Sequence, residues 1–335
     1  MSVIRYCPLR DEKVIVAVNR LHRPVDYGVC KESVKESEKE CPFERGREEL
    51  TPKEIFSIRE NGEWLVRVVP NLYHALSVES EKRSYSRGYF EYEEGVGAHE
   101  VIIENPDHFK KMKDYSLKEF RDYLFAVKSR LLDLSKDKRL EYVSVFKNQG
   151  VNAGATLSHP HSQIIATPFI PKEIREEIER KRAYYKIHKR ALLADIVSEE
   201  IREEKRVIEK NEDFVAFVPF ASFYPFETFV VPMENISSLA FLDEGKLLSL
   251  SQILQKVFKK LYKVLGDFDF NLIYKNSPPV TEQTDPNYFY KMEEFYLFYI
   301  QIIPRLYKLA GFELASNMRI NPITSEDAAK RLKNA

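Results

Sequence analysis

The second half of this chain repeats the order of the first, and that repetition narrows the fold more than any other feature. In the first half, strand candidates at 64–70 and 99–104 precede a helix, and Glu141 to Asn148 and His159 to Thr167 follow it as two further strands. Ser116-Leu117-Lys118-Glu119 is a capping box, and Leu117, Phe120, Leu124, Val127, Leu131 and Leu134 then recur at helical spacing as core packing. The second half runs through strands at 214–219 and 228–232, a helix at about 244–265, and strands at 269–276 and 294–303. Short segments match as well. Phe146-Lys147-Asn148 has a counterpart in Tyr274-Lys275-Asn276, and His161-Ser162-Gln163-Ile164-Ile165 has one in Tyr299-Ile300-Gln301-Ile302-Ile303. The pattern predicts a duplicated α+β unit, with halves at 1–190 and 191–335. Only the first copy keeps its histidines, so one copy is expected to be catalytic and the other to be scaffolding.

The histidines lie in Gly154-Ala155-Thr156-Leu157-Ser158-His159-Pro160-His161-Ser162-Gln163. Two of only seven histidines stand two apart, a spacing that puts both on one face of a strand. One imidazole can then do chemistry while its neighbour is anchored elsewhere. Ser162 and Gln163 add short polar groups suited to an oxygen-rich ligand, and Ile164-Ile165-Ala166 returns to a core. Plain packing competes with metal binding and catalysis for any such pair.

Composition removes other classes. Lys plus Arg equals Asp plus Glu at 52 each, which gives no long-range pull toward nucleic acid or anionic membrane, so neither is expected as a partner. The N-terminus has no apolar signal core, and no stretch approaches the roughly 18 apolar residues of a membrane span, so a cytoplasmic location is expected. Cys7, Cys30 and Cys41 form no paired framework, in keeping with a reducing compartment. From Pro171 to about Asn211 the chain is rich in charges of both signs, and its length predicts two helical pieces or an arm with a solvated face.

Ser158-His159-Pro160-His161-Ser162-Gln163, preceded by Asn148 and a loop of small residues, resembles the active-site signature of galactose-1-phosphate uridylyltransferases, a branch of the histidine triad superfamily. Blocks resembling the family occur in family order along nearly the whole chain. They include Arg20-Leu21-His22-Arg23-Pro24, Cys41-Pro42-Phe43, Trp64 to Asn71, His99 to His108, Pro225-Phe226-Glu227-Thr228 and Ile303-Pro304-Arg305-Leu306 with Ala310-Gly311-Phe312-Glu313. The resemblance implies tandem histidine-triad-like motifs with antiparallel sheets flanked by helices. It also implies double displacement, in which UMP passes from UDP-glucose to galactose 1-phosphate through a uridylyl-histidine intermediate.

In that scheme His161 is the nucleophile, since a neutral imidazole attacks phosphorus well and leaves readily from a phosphoramidate. The carbonyl near His159 would hold its tautomer, and Gln163 would donate to the phosphoryl oxygens, with Ser162, Asn148, Ala155 and Thr156 assisting. Nucleotide recognition carries over to Arg20, Arg23, Asn71 and Tyr73, and contact with the sugar to Phe312 and Glu313. In the family the arginine-bearing segment serves the partner subunit, so a homodimer with shared active sites is implied. A structural zinc would take Cys41, Glu44, His108 and His159. Glu44 stands where the family has a second cysteine, so a Cys-Glu-His-His tetrahedron and a lost site are the two alternatives. A second metal seen in some relatives is not expected, because Glu177 is matched but the histidine positions read approximately Asn276, Tyr299 and Gln301. Two rivals remain: an ADP-sugar phosphorylase using the same histidine chemistry, and a nucleotide-binding protein without catalysis. Retention of His161 and Gln163 argues against the latter.

Overall fold

The computed structural model describes residues 2–22, 41–279 and 289–335, so Arg23 and Cys30 lie outside the described residues. Strands β1 (Val3–Cys7) and β2 (Glu12–Val16) form a hairpin at the start of the chain. The first half supplies β3 (Phe56–Glu60), β4 (Glu63–Pro70), an exposed hairpin of β5 (Ser84–Arg87) and β6 (Phe90–Glu93), β7 (Ala98–Ile103), α1 (Leu117–Leu134), β8 (Tyr142–Gln149) and β9 (His161–Thr167). Helices α2 (Lys172–His188) and α3 (Leu192–Glu203) are the two pieces expected in the charged stretch. The second half adds β10 (Val207–Lys210), β11 (Phe214–Phe217), β12 (Thr228–Pro232), α4 (Glu244–Leu265), β13 (Phe270–Lys275), α5 (Met292–Phe295) and β14 (Tyr299–Pro304). After these come α6 (Gly311–Ser316), β15 (Arg319–Asn321) and α7 (Ser325–Lys333).

Ten of these strands make one antiparallel sheet in the order β10-β11-β12-β14-β13-β8-β9-β7-β4-β3. Outward from the β8–β13 seam, the two sides read β8-β9-β7-β4-β3 and β13-β14-β12-β11-β10. They are the same topology, and α1 and α4 occupy equivalent crossovers. The duplication expected from the sequence is therefore present in the architecture. One of its short matches shifts. Phe146 pairs with Gln163 and Ile273 pairs with Gln301, so matching the two glutamines aligns Phe146 with Ile273 rather than Tyr274. A slip of one residue turns side chains to the opposite face. Lys147 accordingly lies on the helix side of the sheet, whereas Lys275 does not.

Local sequence explains the helix layer. Ser116 Oγ accepts from the Glu119 amide at 3.2 Å while Glu119 Oε2 accepts from the Ser116 amide at 2.7 Å, completing the capping box. Asp243 caps α4 in the same sense, accepting from the Lys246 amide at 2.8 Å. The apolar stripes of α1 and α4 meet over one face of the sheet, burying Phe120, Leu124, Val127, Leu250, Leu254 and Phe258 completely. Each such side chain contributes about 1.5–3 kcal/mol relative to exposure. Among the described residues no helix is long and apolar enough to cross a membrane.

On the other face the halves differ. The second half is covered by β1, β2, the turn between them and α3, whose Cys7, Leu9, Val14, Leu193 and Val197 pack with Phe217, Phe229 and Tyr299. Over the first half a smaller cluster of Cys41, Phe43, Trp64, Val69, Val101 and Ile103 covers the sheet only in part. A pocket remains there.

Candidate active site

Strand β9 lies between β7 and β8, and its alternation decides which side chains can act. His161 and Gln163 face a pocket of about 480 Å³, whose walls include Phe43, Val69, Asn71, Tyr73, Thr156 and Leu157. Ser162 points the other way. It is fully buried, donates to Glu104 Oε1 and lies 2.8 Å from the Tyr123 hydroxyl. The expectation that Ser162 assists at phosphorus is therefore corrected: between two pocket-facing residues of a strand, the middle one belongs to the opposite face. Its neighbour Lys147 donates to Glu104 at 3.0 Å and to the His161 carbonyl oxygen at 3.3 Å, so a buried ion pair braces the backbone behind the histidine.

The ring of His161 is fixed through Nδ1, which is 2.8 Å from the His159 carbonyl oxygen. A carbonyl only accepts, so Nδ1 carries the proton and Nε2 keeps its lone pair. Among the described residues no protein group takes that nitrogen. Phe43 packs against the ring in an edge-type arrangement, with centroids 5.5 Å apart. Burial disfavours the imidazolium and pushes the His161 pKa down to about 4. The side chain is a neutral, oriented base presented to the pocket.

The loop from 150 to 157 is held by the second half of the chain. Asp269 Oδ2 accepts from the Asn152 amide at 2.8 Å and from its side chain at 2.7 Å. Gly150 has φ +83°, and a Cβ there would lie 1.8 Å from Asp269 Oδ1, so glycine is required. Asn271 donates to Asn148 Oδ1 at 2.8 Å and to the Ala153 carbonyl at 2.9 Å. Asn148 thus braces the end of β8 and is absent from the pocket wall. Thr156 reaches the wall, and Ala155 precedes it with its amide on the Gly150 carbonyl.

Cys41, Glu44, His108 and His159 converge with their ligand atoms all within 4.8 Å of one another. His159 Nε2 is 2.8 Å from the Asn105 carbonyl oxygen, which places the proton there and leaves Nδ1 as a bare lone pair. That Nδ1 is buried without a hydrogen-bond partner and lies 3.4 Å from Glu44 Oε1. Two acceptors facing each other repel unless a proton or a cation stands between them. His108 has Nδ1 2.6 Å from Glu44 Oε1 and Nε2 2.9 Å from Ser158 Oγ, an outer partner of the kind that orients metal-binding imidazoles. The donor set fits a divalent metal.

Other expected contacts are not brought to this pocket. Arg20 is exposed in the turn Val18–His22 after β2, and Phe312 and Glu313 lie in α6. Glu313 accepts from the amide of Ala310 at 3.1 Å. These elements flank one small sheet, since β15 pairs with β2 in parallel and the Ala17 amide donates to Asn321 at 2.9 Å. Sequence reasoning missed His99, whose ring reaches Gln163, and Asp269 with Asn271. Strand parity with Val101 was the available signal for His99; nothing local marked the other two, whose partners lie more than a hundred residues away.

A pocket-facing histidine held by a backbone carbonyl on a duplicated antiparallel sheet suits nucleotidyl transfer, and comparison with known proteins places the chain in a nucleotidyltransferase family. Residues 1–171 match the N-terminal domain of galactose-1-phosphate uridyl transferase and residues 177–335 its C-terminal domain. The chain belongs to that family. It is 31% identical to ADP-glucose phosphorylase of Arabidopsis thaliana, over 98% of this chain and 92% of that protein. It is 28% identical to galactose-1-phosphate uridylyltransferase of Thermotoga maritima, over 99% of this chain and 98% of the relative. The crystal structure of the Arabidopsis ADP-glucose phosphorylase with bound ADP-glucose superposes with a TM-score of 0.85 at 30% identity, covering 100% of this chain and 99% of that one. A uridylyltransferase structure superposes with a TM-score of 0.74 at 26% identity, covering 100% and 98%.

Proposed function

We propose that this enzyme is a hexose-1-phosphate uridylyltransferase that moves UMP from UDP-glucose to galactose 1-phosphate by double displacement at His161. The observation that carries the reading is the single hydrogen bond from His161 Nδ1 to the His159 carbonyl, which leaves Nε2 free in the pocket beside Gln163. In the first step Nε2 attacks the α-phosphorus. A P–N bond forms, the P–O bond to the sugar phosphate breaks, and its electron pair leaves with glucose 1-phosphate. In the second step a phosphate oxygen of the acceptor attacks, and the P–N bond breaks to restore the neutral ring. The Gln163 amide donates to the phosphoryl oxygens as charge builds there. Asn71 and Tyr73 hold the nucleotide at the rim, with Thr156 and the adjoining loop amides at the phosphates.

Cys41, Glu44, His108 and His159 would hold a structural zinc, with all four positions filled by protein. Such an ion supplies rigidity to the loop bearing Phe43 and to the His159 carbonyl. Arg20, Arg23, Phe312 and Glu313 are assigned to the site of a second copy in a cytoplasmic homodimer. Mixing inactive Arg20→Ala and His161→Ala proteins should then restore activity in hybrid dimers, and continued inactivity after subunit exchange would refute sharing.

The alternative donor is ADP-glucose with phosphate as acceptor, favoured by the full-length similarity to ADP-glucose phosphorylase and the TM-score of 0.85 to its complex. Intact-protein mass spectrometry after incubation with UDP-glucose or ADP-glucose separately, without acceptor, decides between them. A UMP adduct absent from His161→Ala supports the uridylyltransferase. An AMP adduct transfers the assignment to the phosphorylase. Donor binding with no adduct would sink both and leave a binding protein.

A further inference from the structure

Gln163 is symmetric in outline: its amide presents either oxygen or nitrogen to the pocket, and only the nitrogen can stabilise a phosphoryl oxygen. What sets the choice lies one strand away. Strand β7 pairs with β9 so that His99 faces Ile165 and Val101 faces Gln163, making His99 and Gln163 diagonal neighbours on one face. His99 Nε2 lies 2.9 Å from Gln163 Oε1. On the other side of the ring, the backbone amide of Ala75 donates to His99 Nδ1 at 3.2 Å.

A backbone N–H only donates. Nδ1 is therefore the unprotonated nitrogen, and the neutral ring carries its hydrogen on Nε2. That hydrogen needs an acceptor, and Gln163 Oε1 meets it. The amide is thereby locked with oxygen on the His99 side and NH2 free for the pocket. Asn71 Nδ2 is also 3.1 Å from this ring nitrogen, which cannot accept from it in this tautomer. The Asn71 oxygen is already engaged by the Tyr73 amide at 2.9 Å.

We infer that His99 is a positioning residue for transfer: the backbone amide of Ala75 fixes its tautomer, and its Nε2–H turns the Gln163 amide so that nitrogen faces the phosphoryl group. The inference rests on the proposed role of Gln163 and adds the group that makes Gln163 a donor. It also joins the turn 71–75, which holds the nucleotide, to the residue at phosphorus. His99 touches no reacting atom.

The test is a double-mutant cycle on the full-length enzyme, read by single-turnover formation of the nucleotidyl adduct with whichever of UDP-glucose and ADP-glucose labels the wild type. Gln163→Ala should slow adduct formation about a hundredfold, the usual size for loss of one donor to a developing oxyanion. His99→Leu should slow it about ten- to a hundredfold with KM for the donor changed much less, since a misdirected amide is lost mainly in the transition state. His99→Leu combined with Gln163→Ala should be no slower than Gln163→Ala alone. His99→Gln places an N–H donor near the former Nε2 and should recover most of the rate. His99→Phe repeats the experiment if His99→Leu does not fold.

If Gln163→Ala is as fast as wild type, the reading of Gln163 fails and the inference falls with it. If Gln163→Ala is slow but His99→Leu and His99→Phe are not, only the inference is overturned. Multiplying rather than saturating effects in the double mutant, or no recovery with His99→Gln, would also overturn it by showing that His99 acts through general packing.

Discussion

At equivalent places on the two halves of the sheet the protein does opposite things. Beside β9 a pocket remains, and the residue that faces it, His161, is a buried neutral histidine held by one hydrogen bond. Around β14 the matching residues Tyr299 and Gln301 are buried, under β1, β2 and the helices before β10. The Tyr299 hydroxyl donates to Glu177 at 3.3 Å, and Gln301 donates to Glu227 at 2.6 Å. Glu177 pairs with Lys181 at 2.7 Å and Glu227 with Arg10 at 2.6 Å, all but Arg10 essentially buried. One copy of the scaffold keeps its polar groups poised and unfilled. The other neutralises its own internally, which is how a sheet face becomes structure instead of a site.

The difference can be broken most severely at the two central residues. His161→Ala should lower transfer by at least about four orders of magnitude, as loss of a covalent nucleophile does, while Tyr299→Phe should leave the rate within about twofold. Comparable losses in steady-state assays would show that the halves share the chemistry. Next comes the filled face. Lys181→Met strands Glu177 in the interior and should cost about 3–5 kcal/mol in urea unfolding, with activity per folded molecule retained. A cost below about 1 kcal/mol would mean that the ion pair does not hold this half together.

A third, smaller effect concerns the cluster beside the pocket. Glu44→Ala should purify with metal well below one equivalent by elemental analysis and with a lower melting temperature than wild type, because the remaining three ligands leave a coordination position open. Equal metal content would remove Glu44 from the site. The smallest effect is in pH. In the proposed mechanism His161 acts in its neutral form, and burial lowers its pKa to about 4. Its active fraction is therefore nearly complete above about pH 5 and falls only as pH drops through 4, so adduct formation should be level between about pH 5 and 8. A cation at His159 would push the ring the same way. A fall in rate centred near the ordinary histidine pKa of about 6.5 would contradict the buried, carbonyl-held ring.

Much of this contrast was legible in the chain. The order of strands and helices gave the duplication, but the expectation that His159 and His161 share one strand face is corrected: β9 begins at His161, which faces the pocket, and His159 before it turns to Cys41, Glu44 and His108. Cys41, Glu44, His108 and His159 were named through resemblance, and the fold brings them together. Ser162 was misjudged although the period of two that joined His161 to Gln163 already excluded it. The Phe146–Asn148 match slipped by one because three similar residues carry no register, whereas hydrogen bonding across four strands does. His99, Asp269 and Asn271 needed those pairings as well. Their importance lies in what stands opposite them, and a linear sequence does not record that.

The seam between β8 and β13 has a consequence for how such a protein arises. A chain ending after β9 would leave β8 as an open edge able to pair with a copy of itself, and its loop at Gly150 would lack the carboxylate that now holds it. Joining two copies in tandem replaces that encounter with a tether, so pairing across the seam and the anchoring of this loop no longer depend on how dilute the protein is. Once covalently joined, the copies are also free to inherit different fates. A single substitution in the second reaches one face per molecule, where in a symmetric pair it would have struck both.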